Sequence, residues 1–272
     1  MQADCHRGQN GKGSALARAG TAHWADLLAL VGLVGLVGGL VVYQLLPSVT
    51  IDRQPTRRTE CLNNLRQIAI ALHYYHDKYD SLPPAYTVDA FGNPLHSWRT
   101  LILPQLGHES LYDSIDLSKP WNDPANEEAF NTRVNVYHCP SGHGPPHHTT
   151  YLANAAKDGC FRPLQPLSFS EITDPQGQTL LVLEVPLDQS IPWMAPTDAD
   201  DLLIMAIGSQ RSGKMAHTGG GHAAMADGRV VFLSEYTPAA TRRALITIWA
   251  GDGFEDIPET RVMPRDHDGL EA

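Results

Sequence analysis

Twenty consecutive residues without a formal charge, Leu27 to Leu46 (LLALVGLVGLVGGLVVYQLL), constrain this chain more than any other feature. A helix of that length rises about 30 Å, the thickness of a bilayer's hydrocarbon core. A cleaved signal peptide has a shorter apolar region, of about 7 to 15 residues, and a helix inside a water-soluble core rarely stays apolar on every side. No A-x-A site follows the run, and Asp26 and Gln44 mark its ends. The expectation is one transmembrane helix over 27–46, in contact with membrane lipid and preceded by a disordered 1–26 segment. Gly35-x-x-x-Gly39 fits a close approach of two such helices, although glycine is common in spanning helices in any case.

Positive charge orients the span weakly. Arg7, Lys12 and Arg18 precede it and Arg53, Arg57, Arg58 and Arg66 follow, a lean toward a cytosolic C-terminal side, but long domains translocate largely regardless of charge. Roughly 220 residues follow the run, enough for one well-packed domain over 47–251. The tail from Asp252 to Ala272 is acidic and aperiodic, so it is assigned to disorder. A net charge of -10, with only 20 Lys and Arg in 272 residues, repels phosphate backbones and excludes nucleic acid as a natural partner. Cys5, Cys61, Cys139 and Cys160 show no C-x-x-C spacing, so no zinc knuckle or thioredoxin motif is present and the pairing stays open.

Beyond the span, Cys61, Leu65, Ile68, Leu72, Tyr75 and Tyr79 recur at steps of three and four, which predicts an amphipathic helix with one stripe buried on a sheet. Pro83-Pro84 ends it. Ser97 to Leu106 reads as a short helix or turn, and Asp123 before Pro124 caps a helix running to about Thr132. Val134 to His138 alternates as a strand. Thr179 to Val185, a continuous apolar run, reads as a central strand. Asp227-Gly228, between two apolar segments, predicts a two-residue hairpin turn. Thr237-Pro238 then opens a helix to about Ala250, stopped by Gly251.

Several blocks keep a recognisable order: LLPSV (45–49), RRTECLNNLRQIAIALHYYHD (57–77), LPPAY (82–86), HSWRTLILPQL (96–106), PWNDPAN (120–126), YHCPS (137–141), ITD (172–174), LVLE (181–184) and WMAPTD (193–198). His217, nine intervening residues and Asp227-Gly228 close the series. Together they resemble the planctomycete prepilin-like family described as domain of unknown function fifteen fifty-nine, with its H-x9-DG element and likeness to the type II secretion pseudopilin G. The resemblance implies a pilin-like α+β fold, in which an N-terminal transmembrane helix continues into an amphipathic helix packed on an antiparallel β-sheet. It implies a cytosolic N-terminus, a domain outside the inner (cytoplasmic) membrane, and a structural, surface or secretion-associated role among other envelope or pilin-like proteins. It assigns no catalytic residues and no cofactor. The family's leader carries a Gly-Phe-Thr-Leu-Ile-Glu segment, where this chain has His23-Trp24-Ala25-Asp26; a permanent anchor is therefore expected instead of processing and filament assembly.

Chemistry has few footholds. The loop holding His138, Cys139, His143, His147 and His148 offers ligand types that suit zinc or copper, but its spacing matches no finger and Pro145-Pro146 holds the histidines apart. A metal-dependent envelope enzyme or metal-binding protein built on that loop is the alternative reading. Gly208 to Met215 comes within one residue of a phosphate-binding loop, yet Met215 replaces the magnesium-binding hydroxyl. His217 and Asp227 form an acid–base pair only in imagination: the turn explains Asp227, and His217 precedes a glycine bend whose loose backbone groups a polar side chain satisfies. Glu184, charged within an apolar strand, needs a partner, for which Arg99 is the candidate. Asp198, Asp200 and Asp201 read as an exposed acidic loop without the calcium-loop pattern. There is no G-x-S-x-G elbow and no H-E-x-x-H, so no enzyme is expected.

Overall fold

The apolar run is helical: α1 spans Ala17–Leu45 in the computed structural model of the chain, which describes residues 17–45, 53–142, 144–207 and 213–251. Its large apolar side chains from Leu27 to Val37 are all exposed. Residues 17–26, the second part of the 1–26 segment expected to be disordered, are instead the first turns of α1. Residues 1–16, Leu46, the 252–272 tail and the side chains of 17–23, 25 and 40–45 lie outside what the structure describes. Among the described residues, no helix is long and apolar enough to cross a membrane. The chain divides into two compact units, Met1–Ile51 and Asp52–Ala272; α1 belongs to the first and every other element to the second.

The second unit begins with α2, Arg53–Tyr79, which carries Pro55 in its first turn, where no helical hydrogen bond is lost. After it come β1 (Tyr86–Val88), β2 (Pro94–Ser97), α3 (Trp98–Leu101), α4 (Glu109–Asp113), α5 (Glu127–Asn131), β3 (His148–Thr149), β4 (Tyr151–Ala153), β5 (Leu180–Glu184), β6 (Ile191–Pro192), α6 (Asp201–Ala206), β7 (Gly220–Met225), β8 (Val230–Ser234) and α7 (Ala239–Ile246). The class is α+β with antiparallel sheets: a four-stranded one in the order β4-β5-β7-β8 and two-stranded pairs β1-β2 and β3-β6.

Two layers cover the main sheet. Leu65, Ile68 and Leu72 of α2 pack with Tyr151, Ala153, Val182 and Ala224 on one face. On the other, Leu152, Leu183, Ala223 and Met225 meet Ile204, Leu245 and Ile246 from α6 and α7. β5 lies between two strands and two layers, so all five of its residues are buried; that is why its sequence is a run instead of an alternation. The stripe on α2 fades at its last turn, where Tyr79 is exposed.

Three expected elements differ. Residues 134–138 form no strand but a 3-10 turn, Asn135–Tyr137. Val134, Val136 and Tyr137 are all buried, a pattern no alternating strand gives, and the Tyr137 hydroxyl donates to the Arg99 carbonyl at 2.7 Å. The hairpin between β7 and β8 has a three-residue loop, not a two-residue one. Met225 N–H donates to the Arg229 carbonyl, and Gly228, at φ 83°, supplies the left-handed residue such loops require. α7 stops at Ile246, short of Ala250, because the chain leaves to bind elsewhere. The Asp174 carboxylate accepts from the N–H groups of Ala250 (3.0 Å) and Gly251 (2.8 Å), and the Ile248 carbonyl accepts from Thr173 at 2.8 Å.

His96 on β2 is completely buried; its Nε2 lies 2.8 Å from the Lys119 carbonyl and its Nδ1 has no partner. Burial holds this imidazole below its ordinary pKa, against the pull of that carbonyl. A base depressed in the fold stays neutral while the unfolded chain takes up a proton below about pH 6.5, so its contribution is present above that pH and lost as pH falls. The urea midpoint should therefore drop between pH 7 and pH 5, and His96→Gln should make that drop shallower. An unchanged slope in the variant would exclude His96 as a source.

Candidate functional site

Four segments converge on the face of the sheet that α2 covers. The side chains at alternate positions of β5 and β7 point there, which sends Glu184 and His222 inward with Val182 and Ala224. α2 contributes Cys61 from its buried stripe, the loop after the 3-10 turn contributes Cys139, and the bend before β7 contributes His217. One donor atom from each of Cys61, Cys139, Glu184 and His217 lies within 4.8 Å of every other, and all four residues are buried.

The two Sγ atoms are 2.7 Å apart, well inside van der Waals contact yet longer than the about 2.05 Å of a disulfide. His217 Nε2 lies 3.9 Å from Cys139 Sγ and 3.4 Å from Glu184 Oε1. The other carboxylate oxygen is already held: Glu184 Oε2 accepts from the His222 backbone N–H at 3.2 Å and sits 3.4 Å from His222 Nδ1. At Oε1 the near polar neighbour is His217 Nε2 at 3.4 Å, an ion-pair contact without well-aligned hydrogen-bond geometry. Asn64 Nδ2, in the turn of α2 after Cys61, donates to the His138 carbonyl at 3.1 Å and so ties the helix to the loop that carries Cys139.

Electrostatics follow from this crowding. Burial raises the Glu184 carboxyl, but hydrogen bonds and charge from His217 and His222 outweigh it and bring it down to about 2. Burial lowers His217; contacts with Cys139 and Glu184 overcome that and lift it to about 9. The thiol contact with Cys61, together with burial, pushes Cys139 far up. Arg58, stacked 3.8 Å above the Phe232 ring, is drawn down by burial and held up by the field of Glu184. The cluster thus pairs acid and base among buried side chains. Its chemical capacity is that of a soft-ligand metal cage or a protected thiol pair.

Sequence reasoning located several members but not their company. Glu184 does not pair with Arg99. Arg99 forms an ion pair with Asp198 at 2.7 Å, and Glu184 faces His217 and His222. The reason is register: the Glu184 carboxylate turns toward β7, while the Arg99 fork is filled by Asp198 and four backbone carbonyls. His217 belongs to the cluster instead of serving loose backbone groups of the glycine bend. Asp227 does keep its turn role, since Arg229 N–H and Nε donate to its carboxylate at 3.0 and 2.6 Å.

Among the described residues of the histidine loop, only Cys139 enters the cluster. His147 packs on Phe130, with ring centroids 4.6 Å apart, His148 Nδ1 lies 3.3 Å from Ser190 Oγ, and His138 is half-buried. His143 and residues 208–212 of the phosphate-loop lookalike lie outside the described residues. The acidic group is not a uniform exposed loop: the Asp198 side chain is buried, Asp200 caps α6 by accepting from Leu203 N–H, and Asp201 pairs with Arg243 at 2.9 Å. Cys61 is the member sequence reasoning missed. Its signals were the helical stripe and its place among cysteines whose pairing the sequence leaves open, and neither says what lies opposite it.

No curated protein and no solved structure matches the chain. Over residues 52–151 it is similar to a family described as protein of unknown function (DUF1559), a stretch that supplies Cys61, Cys139 and Arg99 but neither Glu184 nor His217.

Proposed function

We propose that this chain is a membrane-anchored, pilin-like envelope protein of the prepilin-like class, with its α+β domain on the extracytoplasmic side. It acts through contacts as a structural, surface or secretion-associated component, not by turnover. One observation carries the reading. α1 exposes large apolar side chains on every side from Leu27 to Val37, a surface that costs about 25 cal/mol per Å² in water and nothing in lipid. As sequence, the charge-free run from Leu27 to Leu46 matches the thickness of a bilayer's hydrocarbon core. α2 laid across an antiparallel sheet, and the similarity over residues 52–151, support the pilin-like part. Membrane lipid is then the first partner and other envelope or pilin-like proteins the second, while the acidic surface turns nucleic acid away.

Fractionation tests the proposal. The full chain should stay in the membrane pellet through carbonate and high-salt washes. In cells whose outer layer has been opened, added protease should remove the domain while leaving cytosolic markers intact. Release by carbonate would overturn the anchor, and complete protection from protease would reverse the topology.

A further inference from the structure

We propose that Cys61, Cys139, Glu184 and His217 form a closed, four-coordinate zinc(II) site that pins α2 to the sheet. The donor set selects the ion: two thiolates and an imidazole favour a borderline-soft metal, and the carboxylate favours zinc(II) over copper(I). Calcium and magnesium would require an oxygen cage that is not here. Tetrahedral zinc, with bonds of about 2.0 to 2.3 Å, sets its ligands about 3.3 to 3.8 Å apart. His217 Nε2 to Glu184 Oε1, at 3.4 Å, and Cys139 Sγ to His217 Nε2, at 3.9 Å, already lie on that scale. The two sulfurs, 2.7 Å apart, need to open by about 1 Å, a movement that also relieves their overlap.

The second layer is in place as well. A ligating carboxylate is normally steadied through its other oxygen, and the His222 N–H does this to Glu184 Oε2, leaving Oε1, which His217 Nε2 approaches at 3.4 Å, as the oxygen for the metal. Asn64 fixes the Cys61 helix to the Cys139 loop. Zinc with two thiolates and one carboxylate carries one net negative charge, near enough to the Arg58 guanidinium to be offset by it. All four positions are filled by protein and buried, so the metal holds structure and has no open position for substrate. Binding releases both thiol protons and the proton His217 carries on Nε2, since each donor must present a free lone pair.

The test uses the full chain in detergent, reduced and kept anaerobic, incubated with zinc and passed through gel filtration. About one zinc per chain should be retained, falling to under about 0.1 in Cys61→Ser and Cys139→Ser and losing at least tenfold in affinity in Glu184→Gln. His147→Ala with His148→Ala should retain the full amount, which separates this cage from the histidine loop. Cobalt(II) loaded into the unaltered chain should give thiolate-to-metal charge-transfer absorption with tetrahedral d–d bands, a readout that holds even where a cysteine variant fails to fold. The proposal is overturned by a chain that retains no zinc, by retention undiminished in the cysteine variants, by cobalt spectra lacking thiolate bands, or by a Cys61–Cys139 disulfide that persists under reductant. None of these outcomes depends on which side of a membrane the domain occupies.

Discussion

Arg99→Met should destabilise the domain by about 3–5 kcal/mol, read as a fall in the urea midpoint of the detergent-solubilised chain. The side chain is fully buried and saturated. Its Nε donates to the Trp193 carbonyl (2.8 Å), Nη2 to those of Ala195 and Thr197 (both 2.9 Å), and Nη1 to Tyr151 (3.4 Å) and to Asp198 Oδ1 (2.7 Å). Removing it takes a donor from each of those carbonyls, of which Trp193 keeps Ser97 Oγ and Ala195 keeps the Thr197 N–H, and leaves the Asp198 carboxylate buried without its counter-charge. Arg99→Lys should recover little, because an ammonium cannot reproduce a planar fork with this many fixed acceptors. Burial pushes the Asp198 carboxyl up even against the attraction of Arg99, so desolvation weighs heavily on the pair. Arg99→Met with Asp198→Leu should therefore be more stable than Arg99→Met alone. A loss below about 1 kcal/mol in the single variant, the scale of an exposed pair, would show that the network is not closed as described.

Gly220→Ala should cost about 3 kcal/mol or more, while Gly219→Ala beside it should cost about 1. Both glycines have positive φ, 152° and 84°, so both substitutions meet the backbone penalty of an L side chain there. They differ in surroundings. A Cβ on Gly220 would run into the carbonyl oxygen of Leu233 on β8, whereas one on Gly219 meets nothing within 4 Å. Gly220 pairs with Ser234 at the start of β7, two residues before His222, so relieving that overlap also shifts the residue that holds Glu184 Oε2. Thermal unfolding of the two variants side by side gives the comparison. Equal losses would mean that the strand pair opens without cost at this end.

The elements legible in the sequence were those fixed by local chemistry. The α2 stripe, the Asp123-Pro124 cap and the β5 run each follow from spacing within one segment, and each appears. What failed needed knowledge of neighbours. Residues 134–138 alternate like a strand but have no strand to pair with, and Tyr137 is claimed by the Arg99 carbonyl. The cluster shows the same limit more sharply. Glu184 read correctly as a charge needing a partner, but Arg99 was the wrong candidate, because the register of β5 against β7 sets Glu184 beside His222 and His217. Cys61 was indistinguishable from a core alanine or leucine, because a helix stripe reports burial and not what lies opposite.

Cys61 and Cys139 lie 78 positions apart, and Glu184 and His217 are supplied later still. Such wide separations make the assembly of this face a late event, since loop closure must be completed before any of the contacts gives a return. A chain emerging in stages would carry its thiols uncovered until β7 arrives, so any capture or oxidation of them in that interval competes directly with maturation.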